Sequence, residues 1–472
     1  MVTVPVPLGF PLGKGRSTVA GMQSLVNLYG EPVDGDGKVQ MAYYTTPGRV
    51  AFATIGGGAV RGQINTSSQH YAVVGTQLYK VNSDGTSSAL GEIEGSERVD
   101  MSYNGQQIVI VAELKSYTYD VTTLTLAEIA DGDFEQASST CALASYSIVA
   151  RKNTGQFAWS SLIDATAWDP LDFATAEGEP DNLVAVRRRG NEVVLLGTNS
   201  VEVWGLTGDA SAPFQRVSTS AVTIGCVSRD SALLVDNGLV WVGRDGYAGG
   251  VSVYRMEGYT PKKISGPNED LLLEAVSTLT TLNAFVYQKA GHQFYVLNSP
   301  GEWTIAWDVL SGQWGYRRTG EFTMGAEPTG GWNATTFALN GQKQIVGSDD
   351  GNLYSLDHGT LTDAGSMLVR EITTPQLFAG GEFRTIDLLT VELETGVGLI
   401  SGQGSNPQIM LSYSKDGGRT WCAPRQASMG TQGKYRTIVN WTRLGRAKDI
   451  MFKFRVTDPV TTAITLAYAE IT

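Results

Sequence analysis

The sequence predicts an all-β fold, and three observations support this prediction. Glycine accounts for 56 of the 472 residues and only 17% of residues are charged, which is typical of many short strands joined by tight turns. Short runs of β-forming residues recur, each closed by Gly, Asp or Asn. Helical candidates are few, and only residues 23–28 and 271–276 suggest short helices.

Residues 195–265 show the repeating element most clearly. A short apolar strand leads into the turn at 197–200, and the next strand ends at Trp204. A looser outer strand follows, and this layout is typical of one propeller blade. Seven such units recur at a spacing of roughly 35 to 53 residues, as in propellers rather than helical solenoids. Their predicted hairpins span residues 71–81, 107–119, 147–160, 193–204, 239–254, 293–307 and 344–356.

We predict three segments along the chain. Residues 1–50 form an extended N-terminal arm, because Pro5, Pro7 and Pro11 disfavour both regular helix and central strand. Residues 51–375 form a β-propeller-like domain of six or seven blades. Residues 376–472 form a β-sandwich module, since their longer strands alternate apolar and polar positions.

Aromatic residues recur near the end of the second strand in these units, among them Tyr79, Trp159, Trp204 and Tyr254. A stacking platform for nucleic acid bases is one interpretation. Packing between neighbouring blades is the other, and we favour it because such positions fall within the predicted core.

The charge and cysteine content narrow the functional classes. A formal net charge of −12 disfavours a protein that grips nucleic acid, although a local basic patch stays open as an alternative. The three widely spaced cysteines predict neither a disulfide framework nor a cysteine metal site, which suits a reducing cytosol. We expect no signal peptide and no membrane span, because the N-terminus lacks a basic start and no apolar run approaches ~20 residues.

No motif predicts a catalytic, cofactor or metal site. The three histidines, His70, His292 and His358, are scattered and have no nucleophile motif nearby. Residues 34–37, Asp-Gly-Asp-Gly, resemble the start of a calcium loop, but the later acidic ligands are missing, so we interpret them as a turn. We therefore expect no enzyme activity, no cofactor and no bound metal.

Two local motifs are candidates for structural or interface roles. The first is an Asp-box-like hairpin, which resembles a structural element of sialidases and other propellers, and its residues are Ser414, Asp416, Gly418, Thr420 and Trp421. It predicts a hairpin rather than a glycosidase site. The second is the run Arg187, Arg188 and Arg189, which we interpret as an exposed loop or as a charge patch at an interface or channel.

Several stretches together resemble one family. They are residues 27–29 (Asn-Leu-Tyr), 46–48 (Thr-Pro-Gly), 61–62 (Arg-Gly), 157–160 (Phe-Ala-Trp-Ser), Asp164, 168–173, 181–183 (Asp-Asn-Leu), 196–204, Gly225 and 263–265 (Lys-Ile-Ser). In order and spacing they are similar to the packaged-DNA stabilization proteins of short-tailed bacteriophages, which form the tail hub or nozzle. The resemblance covers most of residues 20–370, and it supplies no catalytic residues.

This resemblance implies a structural virion protein, assembled in the host cytoplasm and located in the virion tail. It implies a propeller-containing subunit of a homo-oligomeric ring, a hexamer by preference, which continues the DNA channel, helps retain packaged DNA and allows genome ejection. The implied partners are the phage adaptor protein, tail needle, fibre or spike proteins, and double-stranded DNA that passes without sequence-specific binding. Two alternatives stay open: a propeller glycan hydrolase, and a tail protein that binds a glycan or host receptor.

Overall fold

The computed structural model describes residues 2–9, 13–14, 22–33, 38–176, 178, 180–217, 222–246, 249–320, 330–377 and 381–472. Backbone contacts divide the chain into two compact units. We call residues 51–287 and 333–355 the repeat unit, and residues 1–50, 288–332 and 356–472 the sandwich unit.

The N-terminal segment consists of short strands. Their bounds are β1 Val2–Val6, β2 Gly13–Lys14, β3 Met22–Val26, β4 Leu28–Pro32, β5 Met41–Thr45 and β6 Gly48–Thr54. The helix predicted at 23–28 is wrong: Leu25 pairs with Ile372 in an antiparallel ladder, and Asn27 has a φ of 53°, which a right-handed helix cannot accept. The turn predicted at 34–37 lies outside the described residues.

The next part of the chain supplies four sheets of four strands each. The first two sheets contain β7 Val60–Asn65, β8 His70–Val74, β9 Gln77–Val81, β10 Ser87–Glu92, β11 Asp100–Tyr103, β12 Gln107–Val111, β13 Ser116–Asp120 and β14 Thr125–Glu128. The third and fourth contain β15 Ala137–Leu143, β16 Tyr146–Arg151, β17 Gln156–Ser161, β18 Asp164–Thr175, β19 Leu183–Arg189, β20 Glu192–Gly197, β21 Val201–Leu206 and β22 Phe214–Arg216. Consecutive strands pair antiparallel in every case.

A fifth sheet and a short helix follow. The strands are β23 Ile224–Cys226, β24 Leu233–Val235, β25 Gly238–Asp245, β26 Val251–Glu257 and β27 Thr260–Lys263. The helix α1 Pro267–Glu274 confirms the helical segment predicted around residue 271, and the Glu269 carboxylate accepts a hydrogen bond from the Gly266 amide at its start. In the described part of the chain, no helix is long and apolar enough to cross a membrane.

The remaining strands complete both units. They are β28 Asn283–Lys289, β29 His292–Ser299, β30 Trp303–Asp308, β31 Trp314–Tyr316, β32 Thr336–Asn340, β33 Lys343–Gly347, β34 Asn352–Asp357, β35 Thr362–Asp363, β36 Ser366–Met367, β37 Arg370–Thr373, β38 Arg384–Leu393, β39 Gln408–Ser414, β40 Arg425–Ser428, β41 Val439–Ala447, β42 Met451–Val456 and β43 Ala463–Ile471. All seven predicted hairpins form, and the all-β prediction is confirmed.

In the repeat unit, the first strands of successive sheets lie against one another. β7 contacts β11, β11 contacts β15 and β15 contacts β19, while β32 of the last sheet contacts β7 again. Aromatic side chains fill the space between neighbouring sheets. The ring centroids of Tyr71 and Tyr119 are 5.3 Å apart, and those of Trp159 and Phe214 are 5.4 Å apart. The last sheet of the repeat unit therefore lies beside the first.

The sandwich unit encloses one large apolar core between two sheets. One sheet has the order β4-β5-β43-β38-β41, with β1 paired to β43, and the other runs β29-β30-β31-β3-β37-β42-β39-β40. Leu389, Trp441 and Phe454 are buried in the shared core. Val2 lies opposite Ile471, so the segment predicted as an extended arm contributes strands that pair within the chain. The three-segment division of the sequence stays a prediction.

Gly225 in β23 provides a test of how closely the repeats approach. A Cβ atom at this position would lie 1.9 Å from the Thr198 carbonyl oxygen, whereas at Gly205 the nearest atom would be 3.9 Å away. We expect Gly225→Ala to lower the free energy of unfolding by about 2 kcal/mol or more, because backbone must move. Gly205→Ala should change it by less than about 1 kcal/mol. Urea unfolding of both variants measures this, and equal effects would contradict the close approach.

Candidate functional site

Five charged side chains meet where the first strands of the repeat sheets adjoin. We call Arg98, Asp100, Arg187, Arg229 and Asp230 the central charge cluster. Asp100 lies in the second sheet, Arg187 in the fourth, and Arg229 and Asp230 in the 3-10 turn Arg229–Ser231 beside the fifth. The cluster therefore joins residues that are far apart in sequence.

Arg187 makes the most contacts in the cluster. Its Nη1 donates to Asp100 Oδ2 at 2.8 Å and to Ser139 Oγ at 2.9 Å, and its Nε donates to the Ala232 carbonyl oxygen at 2.7 Å. Its Nη2 donates to the Arg229 carbonyl oxygen at 3.0 Å. One guanidinium thus connects the second, third and fifth sheets to its own, and its planar fork is suited to several acceptors at once.

Arg229 and Arg98 share the second carboxylate. Arg229 Nε lies 2.9 Å from Asp230 Oδ1, and Arg98 Nε lies 3.5 Å from Asp230 Oδ2. Burial alone would raise the pKa of Asp230, but the two guanidinium groups lower it below its usual range. Arg98 also donates to the Thr335 carbonyl oxygen at 3.1 Å, which brings the last sheet into the network. The charges are consequently used to hold the sheets together.

An open depression of about 330 Å³ adjoins the cluster, and Asp100, Thr140, Cys141 and Arg187 line it. Burial raises the pKa of the Cys141 thiol to about 12, so it stays a neutral thiol and a poor nucleophile near pH 7. No group of His, Cys, Asp or Glu in the described ranges could hold a metal ion. The depression therefore offers neither an activated nucleophile nor a set of metal ligands.

The arginine run lies in strand β19, so the prediction of an exposed loop is wrong. Strand alternation separates the three side chains: Arg187 enters the cluster, whereas Arg188 is exposed and donates to the Gly190 carbonyl oxygen. Arg189 pairs with Glu192 at 2.6 Å and lies 5.2 Å from the Tyr259 ring centroid. A joint role of the three arginines at an interface or channel stays a prediction. Of the three side chains, only that of Arg188 is exposed.

The Asp-box-like hairpin follows β39 in the sandwich unit. Gly418 N donates to Ser414 Oγ at 2.8 Å, and the Thr420 hydroxyl and amide donate to the two Asp416 carboxylate oxygens at 2.6 and 2.9 Å. These bonds, led by that of the hydroxyl, hold the pKa of Asp416 below its usual range. Trp421 is half-buried, with the Lys453 ammonium 4.2 Å from its ring centroid. The carboxylate is thus occupied by its own turn.

Several residues that carry the family resemblance also bind backbone groups. Asp181 Oδ2 accepts from the amides of Asn199 and Ser200 at 2.6 and 2.9 Å. Arg61 donates to the carbonyl oxygens of Gly75 and Ile93, at 3.0 and 2.9 Å. Arg61 is buried and Asp181 is half-buried, and both side chains satisfy backbone groups of neighbouring turns.

Asn27 also binds backbone groups with its side chain, in the sandwich unit. Its Nδ2 donates to the carbonyl oxygens of Arg318 and Val369 at 3.0 and 2.9 Å, and its Oδ1 accepts from the Arg318 amide at 3.1 Å.

Sequence reasoning missed the roles of Arg98, Asp100, Arg229 and Asp230. No local pattern marks the cluster, since the contacts that join its sheets, Arg98 with Asp230 and Asp100 with Arg187, link residues that are far apart in sequence.

Arg187 and Arg188 form a matched pair for a stability test. Arg187→Ala should lower the free energy of unfolding by about 3 kcal/mol, because it removes the counter-charge of a largely buried Asp100 and the guanidinium donor of the Ala232 and Arg229 carbonyl oxygens. Arg188→Ala, which removes the same side chain one position later, should change it by less than about 0.5 kcal/mol. Urea unfolding measures both free energies, and equal losses in the two variants would show that Arg187 does not hold the sheets together.

Comparisons with known proteins agree with this architecture. A curated relative, the tail hub protein gp10 of Salmonella phage P22, is 29% identical over 173 residues, which is 33% of this chain and 34% of the relative. The chain thus matches about a third of that protein's length. The solved structures that the chain matches in part include the computationally designed Ika8 protein and the Neurospora crassa Pan2 WD40 domain.

The first of these structures is 16% identical, with 71% of this chain and 99% of that chain covered and a TM-score of 0.37. The second is 9% identical, with 66% and 94% covered and a TM-score of 0.38. These scores are too low for us to infer anything further.

Family models cover nearly the whole chain. The model described as bacteriophage P22 Gp10, beta-propeller, matches residues 10–361, and the model described as bacteriophage P22 Gp10, beta-sandwich, matches residues 369–472. The predicted combination of a propeller with a C-terminal sandwich is confirmed, as is the resemblance to the tail hub proteins of short-tailed phages. The chain belongs to the bacteriophage P22 Gp10 family.

Proposed function

We propose that the chain is a structural subunit of a bacteriophage tail hub and functions in the virion tail. The observation that carries this proposal is the pair of family matches over residues 10–361 and 369–472. The relative named tail hub protein gp10 supports the same role. In this role the protein is a scaffold rather than an enzyme.

The finer parts of the proposal concern the assembly. Copies form a closed ring, a hexamer by preference, that continues the DNA channel below the portal and its adaptor. The ring helps to retain the packaged genome and allows its ejection. Needle, fibre or spike proteins dock on it. Each copy has a net charge of −12, so duplex DNA slides through with weak contact, and a partner that closes the distal end provides retention.

Electron microscopy of the purified full chain and of phage particles tests this proposal. We expect rings with a central channel, and density or antibody label for the protein at the tail. A strictly monomeric protein, both alone and in particles, would contradict it. The same preparation, titrated with salt, should bind a 30-base-pair duplex only weakly at physiological salt. Micromolar binding with a steep salt dependence would contradict the weak-contact channel.

The glycan alternatives make a different prediction. A hydrolase or glycan-binding tail protein would turn over or retain sialosides or capsular glycans. Asp416 of the Asp-box-like hairpin and Arg187 of the arginine run are already bonded within the fold. We therefore expect the full chain to show neither turnover of such glycans nor binding on a glycan array.

A further inference from the structure

The outer edge of the sandwich unit carries a group of exposed cations. β41 is the last strand of its sheet. We define the basic edge as Lys415, Arg443, Arg446 and Lys448 together with Phe383. All five side chains are exposed. Within the described part of the chain, no ion pair engages any of the four cations.

The cations of the basic edge are grouped around an aromatic ring. The Arg446 guanidinium carbon lies 5.0 Å and the Lys448 ammonium 5.1 Å from the centroid of the Phe383 ring, which is 54% exposed. Lys415 Nζ donates to the Arg446 carbonyl oxygen at 3.3 Å. Cation–π contacts and this bond hold the charges in place before any partner arrives, which reduces the entropy lost on binding.

The backbone of β41 indicates the way in which a partner would dock. The pairing with β38 shifts register after the Leu388–Thr442 pair, and Arg443 in the shifted region has a φ of 59°. A bulge of this kind interrupts the regular row of backbone donors and acceptors, so addition of a strand is disfavoured. Recognition through the projecting side chains is favoured instead.

The charge of the chain is distributed unevenly between its two parts. Residues 376–472 contain 11 basic and 8 acidic side chains, whereas residues 1–375 contain 24 and 39. A surface of complementary sign is therefore available on every other copy of the same chain. The local concentration of this complementary surface is high, because the copies of a homo-oligomer are each other's nearest neighbours.

One acidic surface of the repeat unit has matching chemistry. We define the acidic face as Asp131, Asp133, Asp164, Asp169 and Asp172 with the apolar residue Leu171. All lie at β18 or in the loop before β15, and Asp131 Oδ2 accepts from the Trp168 amide at 3.0 Å, which joins the two segments.

No carboxylate of the acidic face takes part in an ion pair among the described residues, and Leu171 is 81% exposed. Burial and the neighbouring charge of Asp169 raise the pKa of Asp172, which means that a cation would relieve an existing repulsion. The basic edge and the acidic face thus each combine several charges of one sign, which have no ion-pair partner among the described residues, with one exposed apolar side chain.

We propose that the basic edge of one copy docks on the acidic face of a second copy of this chain. The contact is heterologous, since two different surfaces meet, and repeated heterologous contacts close a ring when their rotation allows. Phe383 and Leu171 supply the apolar centre, and the charges around them set the orientation. This inference deepens the proposed function and rests on it for the presence of several copies.

A charge-swap experiment on the full chain tests the proposal. Arg446→Glu with Lys448→Glu should weaken self-association at least tenfold, because like charges would then face one another. Asp133→Lys with Asp169→Lys should weaken it to a similar degree. A chain that carries all four substitutions, or an equimolar mixture of the two double variants, should associate again. Mass photometry at several salt concentrations measures each case, and wild-type association should decrease as salt increases.

Lys434→Glu with Arg436→Glu is the matched control. It makes the same charge change in the loop before β41, at the opposite end of that strand from Arg446, and should leave association unchanged. A ring that survives both double variants would overturn this inference and leave the proposed function intact. A wild-type chain that neither associates nor occurs in particles would overturn both.

A third result identifies a different occupant. If the Arg446→Glu, Lys448→Glu chain associates normally but loses binding of a 30-base-pair duplex that the wild-type chain retains, the basic edge binds nucleic acid, and the docking of a second copy is wrong. Circular dichroism of each variant checks that the fold is intact, which is expected because the substituted side chains are exposed.

Discussion

The hydrogen bonds of the Arg187 guanidinium are the interaction on which the arrangement of the repeats depends. Each sheet of the repeat unit is a local structure whose pairing is set by tight turns. The positions of the sheets relative to one another need contacts over longer sequence distances. Apolar clusters between sheets supply much of the stability, but such packing is non-directional. The charged bonds of Arg187, with Asp100 and Arg229, add the direction that fixes neighbouring first strands.

In the sandwich unit, distant segments are held together by a shared apolar core, to which both ends of the chain contribute. β1 pairs with β43, and β3 pairs with β37, so strands that are hundreds of residues apart in sequence lie side by side. Closing such long loops costs conformational entropy, although the cost increases only slowly with loop length. Asn27 contributes at this junction, since its side chain binds backbone groups of two distant segments.

The sequence predicted local structure well, because local structure depends on nearby residues. The seven predicted hairpins all form, and they were recognised from alternation and turn residues; the strand patterning and the family resemblance together led to the correct fold class, a propeller with a C-terminal sandwich. The partners of the N-terminal strands could not be predicted, because proline content indicates an extended backbone without showing what pairs with it. The position of Arg187 inside the fold could not be predicted, because the distant Asp100 that pairs with it leaves no local signal in the sequence.

Charged side chains, above all Arg187 and Asp100, hold the repeats together. A double-mutant cycle between Asp100 and Arg187 tests this most directly, since their side chains are both only 13% exposed and their sheets are not adjacent. The free energies of unfolding of Asp100→Ala, Arg187→Ala and the double variant give the coupling energy. We predict a favourable coupling of about 1.5 kcal/mol or more. If the effects of the two single substitutions on the free energy of unfolding add up to that of the double variant within about 0.5 kcal/mol, the account is contradicted. The bond between Asp100 and Arg187 would then contribute nothing of its own to stability.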